Sequence, residues 1–298
     1  MSVDITDTRS PATVAWEESR GRLFGIAYRM LGDVGHAEDV VSEVGMAAIV
    51  EERDSPERVR SWPAWLTTVG VRKSIDRARH LASIREDYPG PWLPEPIATD
   101  QLPEEAVANL ELLSITLLHL AEQLAPESRA ALVLSRAFAM PAEEVGRILG
   151  KSPAAVRQLI SRAARRLDLD REVSRPADPA ALRRLVDAIH SADLEATLRA
   201  LLADDAVYWS DGGGKVPSAF NPIFGAEKIV RFLAGVLTPE LLDGDHFSRF
   251  LEVNGGLGLS VVHEDQVRVL EIELGTGGLI RGMRQVNNPD KLDHLGEG

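Results

Sequence analysis

The sequence predicts a multidomain protein: two all-α modules, the second a helix-turn-helix, followed by an α+β domain with helices packed on a curved antiparallel sheet. Three observations carry this. Apolar residues recur at helical spacing up to about residue 80 and again from about 106 to 167. A stretch with five prolines (Pro89, Pro91, Pro94, Pro96, Pro103) separates those two runs. After residue 180 the texture changes to short, partly alternating apolar segments bounded by glycine and charged residues. A chain of 298 residues fits about two or more domains of ordinary size. The expected divisions are 11–82, a linker at 83–105, 106–168, and 178–293.

The first module is read from Leu23, Ala27, Met30 and Leu31, then Ala37, Val41, Val44 and Ala48, then Trp65, Val69, Arg72 and Ile75. Gly45 interrupts the second of these helices, at a cost of about 1 kcal/mol relative to Ala. Trp62 and Trp65 could stack on unpaired bases, although Trp65 opens an amphipathic helix and is expected in its core. The prolines of the linker fix φ and remove donors, so no helix passes through it.

The segment AEEVGRILGKSPAAVRQLISRAARRL, 142–167, is the most informative. Gly150 tolerates the left-handed C-terminal cap of its first helix. Ser152 then caps the next helix and Pro153 occupies its first position, where no donor is missed. That second helix buries Val156, Ile160, Ala163 and Leu167 and presents Arg157, Gln158, Ser161, Arg162 and Arg165. This is the build of a helix-turn-helix, whose second helix enters the major groove of DNA. Arg157 and Gln158 have the donors for base edges, and Lys151, Arg162, Arg165 and Arg166 suit phosphates. The bland alternative is a helical hairpin with a solvated basic face.

Charge supports the nucleic-acid reading locally. The chain carries a net charge of -13, yet residues 120–167 sum to +4 while 177–298 sum to -8. An acidic protein with one basic face meets DNA poorly until that face is presented. The absence of cysteine removes disulfides, thiolate nucleophiles and Cys-ligated zinc. No HxxxH or HExxH pattern occurs, so no metal is expected, and no cofactor. No apolar run approaches the roughly 20 residues of a membrane span, and a cytoplasmic location is expected.

In the last domain, Leu182, Leu185, Val186 and Ile189 line one face of a helix, and Ile229, Val230, Leu233 and Leu237 line another. VYW at 207–209, LGLSVV at 257–262, VRVLEIEL at 267–274 and LIRGMRQV at 279–286 read as strands, with HED and GTGG as turns between the last three. DGGGK at 211–215 does not satisfy the phosphate-loop pattern, because Val216 follows Lys215. It reads as a flexible loop with a solvated carboxylate.

The words RLFGIAYRMLG (22–32), AEDVV (37–41) and WLTTVGVRKSIDRAR (65–79), with the helix-turn-helix, resemble a bacterial extracytoplasmic-function sigma factor. WLPEP (92–96), DGGGK (211–215) and NPDKL (288–292) resemble the motifs of its SigJ-like subgroup, which carries a C-terminal SnoaL-like domain. The resemblance implies two sigma modules, an RNA polymerase core partner contacted through its β′ and β subunits, and promoter DNA. It implies clamp contacts at Asp39 and Glu43, -10 contacts at Arg72, Lys73, Asp76, Arg77 and Arg79, and -35 contacts at Lys151, Ser152, Arg157, Gln158, Ser161, Arg162, Arg165 and Arg166. It also implies regulation in cis, in place of a separate anti-sigma protein, through Trp92, Glu95, Asp211, Gly212, Gly213, Gly214, Lys215, Asn288, Pro289, Asp290 and Lys291. Here Lys215 is expected to meet Glu95. The sequence departs from the family pattern at Ser42 to Met46, where an aromatic is usual.

Two other readings stay open on sequence: a ligand-responsive helix-turn-helix regulator, with an unknown small ligand in the last domain, and a SnoaL-type isomerase or cyclase. The second would need a general base, for which Asp211, His190 and His246 are available.

Overall fold

The computed structural model describes residues 10–102, 113–167, 175–237, 246–263 and 266–295. Residues 106–112 of the second module and Glu264 and Asp265 of the HED turn lie outside them. The chain forms two compact units. One holds the described residues up to His80 together with Pro126–Ile160; the other holds Leu81–Leu102, the segment ending at Ala125, and the described residues from Ser161 onward.

In the first unit, α1 (Pro11–Leu31) begins where the Ser10 hydroxyl accepts the Thr13 N–H and Pro11 fills the first turn. It stops at Gly32, which takes the left-handed conformation at φ 65°. Asp33 caps α2 (Val34–Asp54) by accepting the His36 N–H at 2.8 Å. A third long helix, α3 (Trp62–Arg85), closes on both: a Cβ at Gly70 would stand 3.0 Å from Leu23 and 3.7 Å from Val44. Gly45 is explained by the same kind of fit. Its missing side chain makes room for the Trp16 indole, 2.9 Å from where a Cβ would lie, whose Nε1 donates to the Val41 carbonyl at 3.0 Å. The helix-propensity cost of Gly45 thus accompanies a half-buried, hydrogen-bonded ring.

The helices α5 (Pro126–Arg136), α6 (Ala142–Leu149) and the start of α7 (Pro153–Arg166) complete this unit. α5 docks on α1 through Arg129, almost fully buried, which donates to the Met30 carbonyl at 2.7 Å. The guanidinium groups of Arg22 and Arg29 lie over the Phe138 ring at 5.4 and 5.3 Å.

The second unit is built on one sheet ordered β3-β2-β7-β6-β5-β4, from β2 (Leu202–Asp211), β3 (Ile223–Phe224), β4 (His246–Val253), β5 (Gly256–His263), β6 (Gln266–Leu274) and β7 (Ile280–Val286). The short β1 (Arg175–Pro176) adds to the far end of β6. The sheet is mixed and not wholly antiparallel, because β2 runs parallel to β7 with Tyr208 opposite Met283. Such a pair needs a long crossover, and the segment between β2 and β7 supplies it.

Alternation along the strands gives the sheet two apolar faces. Tyr208, Leu259, Leu270, Ile272 and Met283 face one side, where α8 (Pro179–Ile189), α9 (Leu194–Leu201) and α10 (Ala226–Val236) cover them with Leu182, Leu185, Leu198, Ile229 and Leu233. Trp209, Val253, Val269 and Val286 face the other, packed with Leu93, Ala98, Leu292 and Leu295. The proline-rich segment therefore packs as part of the C-terminal sheet, its Ala98 bridged to Val253. The helix α4 (Ile115–Ala121) lies against β6 in the same unit.

Candidate nucleic-acid interface

The turn between α6 and α7 is set by glycines and a cap. Gly150 adopts φ 65°, and the Lys151 N–H returns to the Gly146 carbonyl at 2.9 Å. A Cβ at Gly146 would come within 2.6 Å of the Lys151 carbonyl oxygen, so the close return requires glycine there. The Ser152 hydroxyl accepts the Ala155 N–H at 3.2 Å and Pro153 starts α7. Val145, Ile148, Val156, Ala163 and Leu167 are buried, and Ile160 is half-buried.

Ser152, Arg157, Gln158, Ser161, Arg162, Arg165 and Arg166 are all exposed. Arg165 donates to the Ser161 carbonyl and hydroxyl, each at 3.3 Å. Arg157 meets Glu143 at 3.4 Å with both side chains more than 60% exposed, a pairing water screens almost completely. Lys151 stands apart: its Nζ lies 2.9 Å from Glu127. Glu127 also accepts from Arg79 of α3 at 3.0 Å, and the Lys151 bond holds its carboxyl below the usual range. One carboxylate thus engages a cation from each helical module.

On α3, Arg72 and Asp76 are exposed, and Arg79 reaches Asp76 at 3.0 Å as well as Glu127. Arg77 and Lys73 point to α2. Arg77 donates to Asp39 at 3.2 Å and to Glu43 at 2.7 Å, and Lys73 donates to Glu43 at 2.8 Å. Bonding to Lys73 lowers the Glu43 pKa. The residues expected at the polymerase clamp and two of those expected at the -10 element are therefore partners of one another. Trp65 departs from the core expectation. It is half-buried, edge-on to Trp62 at 5.6 Å, and lines a 560 Å³ groove with Glu43, Met46, Val50 and Lys73.

The three motifs for which a regulatory role is expected converge in the second unit. Asp211, expected in a solvated loop, is fully buried. It accepts from the Tyr88 hydroxyl at 2.6 Å, the Leu93 N–H at 2.8 Å, the Gly213 N–H at 3.1 Å and Lys291 Nζ at 2.7 Å. Lys291 also donates to the Leu93 carbonyl at 2.5 Å and lies 4.2 Å from the Trp92 ring, which the Arg85 guanidinium also covers at 3.3 Å. Burial, with Asp211 alongside, raises the Tyr88 phenol. Asn288 donates to the Tyr88 oxygen at 3.1 Å and accepts the Asp290 N–H, capping a short turn that begins at Pro289.

The glycines are sterically required. A Cβ on Gly212 would stand 2.5 Å from Ser218, on Gly213 2.3 Å from Asn288, and on Gly214 2.8 Å from Pro89. Lys215 pairs with Asp290 at 2.5 Å on the surface, where the sequence pointed to Glu95. Glu95 is itself buried. Lys215 and its neighbour Asp290 are close in space because the DGGGK and NPDKL turns stand side by side.

A second clasp was not legible in the sequence. Glu271 of β6, buried, accepts the Ile115 N–H at 3.1 Å, the Thr116 N–H at 3.2 Å and the Thr116 hydroxyl at 2.8 Å, satisfying the N-terminus of α4. Burial pushes its carboxyl up. Arg284 of β7 donates to Thr116 at 2.7 Å and to Glu273 at 2.8 Å, and covers the Trp209 ring at 4.6 Å. Trp209 stands edge-on to His119 of α4 at 5.5 Å. Burial first, and then Arg284 and Lys291, lower the His119 pKa to about 3. Asn254, left-handed at φ 53°, exchanges bonds of 2.9 Å with the Ile97 backbone and donates to the Leu113 carbonyl.

Among the described residues no cluster of three or more His, Cys, Asp or Glu could hold a metal ion. Of the candidate bases, Asp211 is consumed by the clasp, His190 is exposed, and the His246 side chain lies outside the described residues. No helix among the described residues is long and apolar enough to cross a membrane.

Two helical modules, one a helix-turn-helix with an exposed basic face, define a protein of the sigma class. Comparison gives the family. Residues 15–84 match Sigma-70 region 2 and residues 114–167 match Sigma-70 region 4. The chain is 38% identical over 256 residues to the ECF RNA polymerase sigma factor SigJ of Mycobacterium tuberculosis, covering 82% of this chain and 78% of that protein. The crystal structure of that factor superposes with a TM-score of 0.70 at 32% identity, over 94% of this chain and 98% of the other. The sigma factor SigW of Bacillus subtilis is 30% identical over 48% of this chain and 79% of its own length. The chain belongs to the extracytoplasmic-function RNA polymerase sigma factors, in the SigJ-like group. It is a transcription initiation factor and not an enzyme, and its partners are the polymerase core and promoter DNA.

Proposed function

We propose that the chain directs core polymerase in the cytoplasm to promoters whose -35 element is read by α7, and that the C-terminal domain controls this in cis. Arg157 and Gln158, in the first turns of α7, reach base edges, while Lys151, Ser152, Ser161, Arg162, Arg165 and Arg166 hold phosphates or position the helix. Arg72, Lys73, Asp76, Arg77 and Arg79 face the -10 element, and Asp39 and Glu43 meet the polymerase clamp. Binding of the clamp to Asp39 and Glu43 frees Arg77 and Lys73 for DNA.

The observation that supports control in cis is the burial of Asp211 against Tyr88, Leu93 and Lys291, which makes the segment joining the sigma modules a structural part of the C-terminal sheet. Holding that segment fixes the reach between the two promoter-binding modules. The test is promoter-directed transcription in vitro with reconstituted holoenzyme. Asp211→Ala, Trp92→Ala and a chain ending near residue 175 each change transcript yield at least threefold, with circular dichroism confirming folded proteins. Wild-type yield from all three overturns control in cis while leaving the sigma activity intact.

A further inference from the structure

The inner face of the C-terminal sheet keeps a cavity of about 120 Å³ between α8, α10 and strands β4 to β7. Its buried wall is Leu185, Leu233, Leu259, Leu270 and Met283. The polar residues of the lining are His190, Ser248, Arg268 and Gln285, and each is at least partly exposed, which places them at the mouth. Native cores leave few voids larger than a water molecule, so a lined void of this size calls for an occupant. An apolar cavity of about 150 Å³ stays dry and accepts benzene, whereas drug-sized pockets begin near 300 Å³. The space therefore fits one six-membered ring or a chain of about six carbons.

The mouth decides the rest of the ligand. Among the described residues, none that lines the cavity is acidic. Glu271, next to Leu270 on β6, points to the opposite face, where it is spent on Ile115 and Thr116. Gln285 is held on both atoms and carries no charge: its Oε1 accepts from Tyr208 at 2.8 Å and its Nε2 donates to Asn287 at 2.9 Å. The His190 Nδ1 is taken by the Val186 carbonyl at 2.9 Å. Arg268 differs. It shares the face of Leu270 and Ile272, and its side-chain bond among the described residues is a 3.4 Å contact to Gln266. A guanidinium fork beside an apolar cavity, with no carboxylate pairing it among the described residues, matches a carboxylate in two parallel bonds.

We propose that this cavity binds a small apolar carboxylate, its ring or short chain among Leu233, Leu259 and Met283 and its carboxylate on Arg268. The site stands independently of control in cis, since binding is read directly. The experiment is fluorine NMR of 4-fluorobenzoate with the full-length protein. The signal broadens and shifts, excess benzoate reverses this, and 4-fluorotoluene, the uncharged analogue, binds at least tenfold more weakly. Arg268→Met, at a partly exposed position, weakens 4-fluorobenzoate at least tenfold, and Leu237→Trp, which fills the mouth from the end of α10, abolishes binding; circular dichroism shows both folded. Absence of a reversible signal overturns the proposal, and so does binding that stays within twofold of wild type in both variants.

Discussion

Glu127 and Asp211 both hold cations, in opposite surroundings. Glu127 is 41% exposed and bonds Lys151 and Arg79 directly at the solvent-facing surface. Asp211 is fully buried and gathers Lys291, Tyr88 and two backbone N–H groups. An exposed pair is worth at most about 1 kcal/mol, and a phosphate can replace its carboxylate at little cost. A buried pair need not add much stability by itself, but removing one partner strands the other. The lesson is a division of labour: the exposed cations Lys151 and Arg79, which we propose meet promoter DNA, are held by bonds weak enough to exchange, and the segment between the modules is held by a bond that does not exchange piecemeal.

The largest expected effect is at the clasp. Asp211→Ala leaves Lys291 buried without its carboxylate and lowers the stability of the C-terminal unit by about 3–5 kcal/mol, read from urea unfolding followed by tryptophan fluorescence. If Glu127→Ala shifts the unfolding midpoint as far, the contrast between the two carboxylates is wrong.

Next comes acid. The His119 pKa is lowered to about 3 in the folded chain from an unfolded value of 6.5. Between those limits the unfolded state binds the proton, so stability rises with pH and is lost on acidification, by about 3 kcal/mol from pH 7 to pH 4. Glu271, whose carboxyl is raised, binds a proton more readily when folded and offsets part of this loss at the acidic end. His119→Phe should flatten the profile between pH 6 and 4; an unchanged profile assigns the acid sensitivity elsewhere.

A smaller effect, confined to sequence preference, is expected for Arg157→Ala. Loss of a bidentate contact to a base costs about 1–3 kcal/mol and relaxes one -35 position, whereas Arg162→Ala weakens all promoters alike and lowers the salt slope. A panel of promoter variants giving the same ranking with Arg157→Ala and wild type removes the reading role.

Smallest of all is Glu127→Gln, which removes the charge partner of Lys151 and leaves Arg79 with Asp76 alone of its two carboxylates. Free protein should then bind a labelled promoter duplex up to about fivefold more tightly, within the 1 kcal/mol expected of exposed pairs, in fluorescence anisotropy at fixed salt. No gain would mean that these two cations do not meet phosphate in the free chain.

What could be read in advance was local. Gly150, Ser152 and Pro153 mark the helix-turn-helix within four residues, and the period of Leu23, Ala27 and Met30 marks α1. The burial of Asp211 was out of reach because its partners are Lys291, 80 residues on, and Tyr88, 123 residues back. A carboxylate among glycines and a lysine reads as solvent-exposed until the fold supplies those groups. Lys215 was matched to Glu95 by charge alone, and only the adjacency of two turns selects Asp290. Glu271 and Arg284 gave no signal at all, since charged residues in alternating strands ordinarily face water. The parallel pairing of β2 with β7 was likewise hidden, because strand periodicity carries no direction.

The clasp has a consequence in time. Leu93 and the Lys291 that holds it are 198 residues apart. At a translation rate of about 5–20 residues per second, the ribosome needs roughly 10–40 s to deliver the second after the first. During that interval the second sigma module is made and both modules emerge with the segment between them untethered. Each newly made copy therefore passes through an unclasped stage before Lys291 closes it, and ribosomes stalled before that residue would release copies that never close.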